Sequence, residues 1–246
     1  MRRFDAVFCD VDGCLMPELQ TPADMTALAS IAEYNRLALE REDRPAIVPC
    51  TGRPLAYCEA VCRLIGASAY PAIAEHGVWI YDFKVNRWEL NPDVTGDDLA
   101  AGAELREWVE RELGPRGCFL QVGKTAGTTI FHDDVAWLEA EVVPMVRGLV
   151  ADRGWPMRVS TTWSCINVDL VHVDKGRAIA RVMERCGLER DRLAGIGDTE
   201  SDIVIREEVG FFACPSNARD GIKTHADYVA DAPEARGVIE ILGRLV

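Results

Sequence analysis

The sequence has no apolar run near the roughly 18 residues that a membrane-crossing helix needs. Its start, MRRFDAVFCDVDG, has a basic pair, but Asp5 and Asp10 interrupt any signal-peptide core. Positive charge is scarce: 27 Lys+Arg against 40 Asp+Glu give a net −13. A broad basic face for a phosphate backbone is therefore excluded. The nine cysteines are odd in number and scattered. Cys58 and Cys62 share a helix face but lack a second Cys or His pair to complete a zinc set. These features lead us to expect a cytoplasmic protein with reduced thiols and neither a nucleic-acid nor a membrane partner. Repeats and low-complexity tracts are also missing. What is present is ordinary for a globular chain: 48% hydrophobic and 27% charged residues. A chain of 246 residues can bury a core without disulfides, as one large domain or two modest ones.

Short apolar runs alternate with helical patterns. Strands are expected at 6–9, 46–50, 72–74 and 78–81. Thr21 is read as the cap of a helix from Pro22 to about Glu40, with Met25, Leu28, Ala29 and Ala32 on its inner face. A second helix opens at Pro54. The middle differs in texture. It has an acidic helix over 97–113, a strand pair at 119–122 and 128–131, a helix over 134–152 kinked or broken near Pro144, and strands at 157–160 and 165–171. After Lys175 the alternation returns: a helix to Cys186, a strand at 193–196, a helix from about Ser201, short strands at 211–213 and 228–229, and a final helix. The pattern predicts an α/β protein. A Rossmann-like parallel-sheet core (residues 1–83 and 170–246) would carry an inserted α+β cap with an antiparallel sheet (residues 84–169). Hinges are expected near 83–85 and 171–173.

Polar chemistry recurs at the C-terminal ends of predicted strands, the ligand-binding edge of open α/β sheets. The first strand delivers Asp10-Val11-Asp12-Gly13, the second Thr51-Gly52-Arg53, and a later one Gly197-Asp198 with Asp202 four residues on. Close carboxylates repel, and a hard cation such as Mg²⁺ compensates with oxygen ligands. The alternative for an Asp after a strand is a turn or helix cap. Lys175-Gly176 opens a helix and would attract phosphate by charge and amides together. Thr51 either holds a phosphate or caps the Pro54 helix.

The set FCDVDG (8–13), CTGR (50–53), VDKG (173–176) and GDTESD (197–202) resembles, in order and spacing, the haloacid dehalogenase superfamily. The large insertion and the tail PSNARDGIKTHADYVADAPEARGV resemble its C2-capped, type IIB (Cof-like) branch, which includes sucrose-phosphate and mannosyl-3-phosphoglycerate phosphatases and phosphomannomutases. The resemblance implies a Mg²⁺-dependent phosphomonoesterase acting on a small phosphorylated metabolite, with a sugar phosphate expected. Asp10 would be the nucleophile that forms an aspartyl-phosphate, and Asp12 the general acid and base. Thr51, Gly52 and Lys175 would hold the phosphate. Asp10, the backbone carbonyl of Asp12, and Asp198 would bind the metal, and Asp202 would orient that shell. Arg53, His76, Trp163 and Asn217 are candidate substrate contacts. For His76 the competing reading is a buried, hydrogen-bonded side chain, and for Trp163 it is core packing. Ser201 stands where capped relatives often have Asn.

Two other signals are set aside. Gly117 to Gly123-Lys124-Thr125 has five residues between its glycines where a P-loop needs four. The acidic run Asp97–Glu112 reads as a solvated helix face. Residues 84–169 carry 9 basic and 14 acidic side chains, a net −5, which disfavours a highly anionic substrate. A phosphomutase and a non-catalytic metabolite-binding protein remain the alternatives. A monomer or small homo-oligomer is expected.

Overall fold

The computed structural model describes residues 3–18, 21–162 and 165–246. In chain order the strands are β1 Ala6–Cys9, β2 Ala46–Pro49, β3 Ala72–Ala74, β4 Trp79–Asp82, β5 Arg87–Leu90, β6 Phe119–Leu120, β7 Thr128–Phe131, β8 Met157–Thr161, β9 Cys165–Leu170, β10 Leu193–Ile196, β11 Phe211–Cys214 and β12 Tyr228–Val229. The helices are α1 Met25–Arg41, α2 Leu55–Ile65, α3 Gly96–Trp108, α4 Val135–Trp137, α5 Val143–Arg153, α6 Lys175–Cys186, α7 Ile203–Glu208, α8 Asp220–Lys223 and α9 Glu234–Arg244.

Five strands make one parallel sheet in the order β12-β11-β10-β1-β2. Every residue of β1, β2 and β10 is buried, as a parallel sheet covered on both faces requires. Side chains alternate between faces. Val7 and Cys9 pack with Leu28 and Ile31 of α1, Val61 of α2 and Val238 of α9. Ala6 and Phe8 pack with Ile179 of α6, Ile205 of α7 and Ile222 of α8. β1 lies between β10 and β2, with Ala6 opposite both Ala46 and Leu193. This is the α/β core expected, with an antiparallel cap sheet beside it.

The cap sheet runs β6-β7-β9-β8 and is antiparallel throughout. Its alternate residues Ile130, Ile166 and Val168 pack against Leu105 of α3, Leu138, and Val146 of α5. The intervening residues Thr129, Phe131, Cys165 and Asn167 line a cavity shared with the core's strand ends. A third sheet, β3-β4-β5, joins the core through a Cys50–Ile73 bridge.

Several local expectations are corrected. Asp24, not Thr21, caps α1, accepting the Thr26 and Ala27 N–H groups. The helix therefore starts at Met25, and its buried stripe turns to Ala27, Leu28, Ile31, Asn35 and Ala38, leaving Met25 exposed. Asn35 is tolerated in that stripe because its amide bonds the Ile65 carbonyl and the Ile47 N–H. At Pro144 the helix continues without a break, but the α geometry is interrupted just before it. A π turn over Leu138–Val142 absorbs the missing donor and carries the chain into α5. Phe83–Val85 is the turn of the β4–β5 hairpin, and Asn91 bonds back to Gly77 and Val78, so the chain leaves for the cap only after Asn91. Among the described residues no disulfide is formed, and eight of the nine cysteines are buried. Among the described residues no helix is long and apolar enough to cross a membrane.

Candidate active site

β1 ends at Cys9 and delivers Asp10 into the rim of the sheet. The Asp10 N–H still bonds the Ile196 carbonyl of β10, so the ladder fixes the backbone under the carboxylate. From β10 the chain runs through Gly197 to Asp198 and Asp202. Carboxylate oxygens of Asp10, Asp198 and Asp202 lie within 4.8 Å of one another. All three residues are buried.

One cation answers them. Lys175, at the start of α6 and 2% exposed, places its Nζ 3.0 Å from Asp10 Oδ1 and 2.7 Å from Asp202 Oδ1. Burial would strip its proton, but the charges of Asp10 and Asp202 outweigh that and hold the ammonium well above the ordinary lysine range. A single ammonium does not neutralise the cluster. Burial, then the charge of Asp202, pushes the Asp10 carboxyl up to about 8. Burial, then the charges of Asp10 and Asp202, pushes Asp198 up to about 9. Asp202 Oδ2 accepts the N–H groups of Asp198 and Thr199, which fixes the Asp198 turn.

Buried carboxylates held reluctantly as anions, all hard oxygen donors, fit a divalent cation such as Mg²⁺. Gly13 makes the convergence sterically feasible. Its φ is +73, and a Cβ there would stand 2.0 Å from Asp198 Oδ2.

The second strand end faces this corner. Thr51 is fully buried; its Oγ1 accepts the Arg53 N–H at 3.0 Å, so its own hydroxyl proton remains free to donate. Gly52 lines the cavity, and a Cβ there would strike His76 Nε2 at 2.2 Å. His76 also lines the cavity, and burial lowers it to about 4, leaving the ring neutral.

The structure gathers Asp10, Asp12, Gly52, Lys175 and Asp198 around one cavity of about 130 Å³. Three of the expected site residues have side-chain partners that the sequence does not disclose. Asp12 does not join the acidic cluster, because Arg53 grips its carboxylate with Nε and Nη2 at 2.7–3.0 Å. Arg53 lines the cavity, but its guanidinium is spent on Asp12 rather than left for substrate. Asn217 is a brace: its Nδ2 donates to the Gly13 carbonyl and its Oδ1 accepts the Glu234 N–H, so both ends of the amide are occupied. Trp163 lies outside the described residues. Ser201 lines the cavity with its hydroxyl on Thr199.

Sequence reasoning missed the cap wall. Gln121, Lys124, Thr129 and Asn167 line the cavity opposite Asp10. It also missed Glu75, whose Oε1 accepts the N–H groups of Thr125, Ala126 and Gly127. Alternation along β7 and β9 could have pointed to Thr129 and Asn167. No local signal marks Lys124 or Glu75.

A family model for haloacid dehalogenase-like hydrolases matches residues 150–242. A phosphoglycolate phosphatase of Methanospirillum hungatei is 26% identical over 96% of this chain and 94% of its own. A crystal structure from Thermoplasma acidophilum superposes with a TM-score of 0.73 at 22% identity, covering 98% of each chain. The sucrose-phosphatase from Synechocystis, solved with sucrose and phosphate, gives 0.69 at 16% identity, covering 100% of this chain and 98% of that one. Residues 150–242 thus match the haloacid dehalogenase-like hydrolase model, and the whole chain has the fold of these solved structures.

Proposed function

We propose that this phosphatase is a Mg²⁺-dependent phosphomonoesterase that hydrolyses a small phosphorylated metabolite through an aspartyl-phosphate on Asp10. The observation that carries the reading is the meeting of Asp10, Lys175, Asp198 and Asp202 at one rim of the sheet, from segments far apart in the chain. Proteins similar to this one bear phosphatase names, the Methanospirillum protein among them.

Asp10 Oδ1 takes the Val11 N–H at 2.7 Å and Lys175 at 3.0 Å, which leaves Oδ2 to attack phosphorus. As that bond forms, the bond from phosphorus to the ester oxygen breaks, and Asp12 gives the departing alkoxide its proton. Asp12 then takes a proton from the water that cleaves the aspartyl-phosphate, releasing inorganic phosphate and regenerating Asp10. Thr51 Oγ and the Lys175 ammonium hold the equatorial oxygens where negative charge collects. Asp10 and Asp198, with the Asp12 carbonyl, would hold Mg²⁺, and Asp202 would orient them. Bound there, the cation supplies charge neutralisation for the transferring group. Arg53 must loosen its grip on Asp12 before that carboxyl can serve the leaving group.

The test is phosphate release from a panel of sugar phosphates, phosphorylated hydroxy acids and p-nitrophenyl phosphate, with and without EDTA. Metal-dependent release supports the reading; no release from any of them sinks it. Isomerised product in place of free phosphate would make the protein a phosphomutase.

A further inference from the structure

The strand-end corner accounts for phosphoryl transfer and leaves the opposite wall of the cavity without a role. That wall is rich in donors. The Lys124 side chain is 1% exposed, and its one ion pair among the described residues is long, 3.5 Å to Asp169 Oδ1. An ammonium has three protons to give, so most of its bonding capacity is unspent in a place with little water. Lys124 lines the cavity and Asp169 does not, so the pair turns its positive end toward a ligand. Asn167 adds to this polarity. Thr129 Oγ1 donates to its Oδ1 at 2.7 Å, and among the described residues its NH₂ has only a 3.8 Å contact to Cys165 Sγ.

The core holds Lys124 in place. Glu75 Oε1 accepts three successive N–H groups, Thr125 at 2.7 Å, Ala126 at 2.8 Å and Gly127 at 2.8 Å, immediately after Lys124. Glu75 and His76 sit at φ 50 and 53, a conformation non-glycine residues seldom adopt and keep only where their surroundings enforce it. Here the clasp on one side and the His76 N–H bond to the Thr51 carbonyl on the other enforce it. The cavity, about 130 Å³, continues past Asp198 and Thr199 into a neighbouring open pocket of about 680 Å³, so there is room beside the phosphoryl group for a leaving group that reaches Lys124.

Resting on the phosphatase reading above, we propose that Lys124 is the specificity-determining residue, selecting phosphate monoesters of hydroxy acids by pairing with the carboxylate of the leaving group, with Glu75 as its positioning residue. Asp10, Lys175 and the metal site see only the phosphoryl end; Lys124 reads the other end.

The experiment compares kcat/KM for phosphoglycolate and for ethyl phosphate, in which a methyl group replaces the carboxylate, in the Mg²⁺-loaded enzyme. The wild type should prefer phosphoglycolate at least roughly tenfold, as polar sites do when an analogue leaves a buried group unpaired. Lys124→Met should erase that ratio, mainly through KM, and Lys124→Arg should keep most of it. Glu75→Gln retains an oxygen for the three amides and should keep the ratio, whereas Glu75→Ala should lose it. A wild type that hydrolyses both esters without preference, or prefers ethyl phosphate, overturns the proposal even if every variant fails to fold. So does a preference that survives Lys124→Met. A ratio that survives Glu75→Ala removes the positioning role. Failure to hydrolyse either ester or p-nitrophenyl phosphate would instead overturn the phosphatase reading itself.

Discussion

The two walls of the cavity are built on different principles. On the core side, Asp10, Thr51 and Asp198 extend directly from β1, β2 and β10, whose ladder fixes their backbones to within a hydrogen bond. Their electrostatics are concentrated: three buried carboxylates and one ammonium. On the cap side, Lys124 rides a loop held by side chains, the Glu75 carboxylate on its amides and Arg106 and Trp79 on Thr125, and Thr129 and Asn167 are the outward residues of an antiparallel sheet. The invariant part of the task, transferring a phosphoryl group, falls to the stiff wall. The variable part, choosing its carrier, falls to the wall that a few side chains can rewrite.

Changes to the stiff wall should have the largest effects. Asp10→Asn should lower kcat by about three orders of magnitude or more while circular dichroism stays native, since a lost nucleophile is not replaced by binding. Retained turnover would remove Asp10 from that role. Lys175→Met should destabilise the fold by about 3–5 kcal/mol, because it leaves Asp10 and Asp202 buried without a counter-charge. Urea denaturation measures it, and a stability near wild type would show that the cluster does not need its ammonium.

The metal-free protein gives a pH test of the same wall. Asp10 and Asp198, raised to about 8 and about 9, bind protons more tightly folded than unfolded. Their ionisation therefore costs stability as pH rises from the ordinary carboxylate range through 8–9. In EDTA, the melting temperature should be higher at pH 6 than at pH 8.5. Saturating Mg²⁺ should raise it at both and most at pH 8.5. Equal melting with and without Mg²⁺ would argue against a cation at these acids. The smallest effect belongs to the cap. Thr95 and Asp98 form a reciprocal cap on α3, and Thr95→Ala should cost about 1 kcal/mol of stability, with kcat/KM changed less than by any substitution above. A large loss of activity would mean that the cap is as finely tuned as the core.

The same contrast decides what the sequence discloses. Strand ends are legible because an apolar run followed by Asp-x-Asp-Gly or Thr-Gly-Arg sets position and chemistry in one short stretch. β10 and β12 fall where periodicity puts them, and Lys175 opens its helix as expected. The cap site is illegible for a physical reason. Lys124 follows Gly123 in a stretch that fails as a P-loop, and its importance depends on Glu75, 49 residues earlier in the numbering, reaching across to the amides behind it. Neither the positive φ of Glu75 nor that of His76 follows from residue type. At α1, two polar residues three apart both suit a cap, and packing chose Asp24 over Thr21, which turned the buried stripe. For Arg53 and Asn217 the sequence placed the side chains near the site, but their bonding partners, Asp12 and Gly13, were settled by tertiary contacts.

The position of β1 between β2 and β10 has a consequence for how the chain is made. Its neighbour β2 follows within some forty residues, but its other neighbour, β10, waits until residue 193. During synthesis, one side of an entirely apolar strand stays unpaired while the whole cap is produced, and such an edge invites wrong partners. The cap's sheet needs nothing beyond Leu170 to close, so it can fold while the N-terminal strand is still waiting.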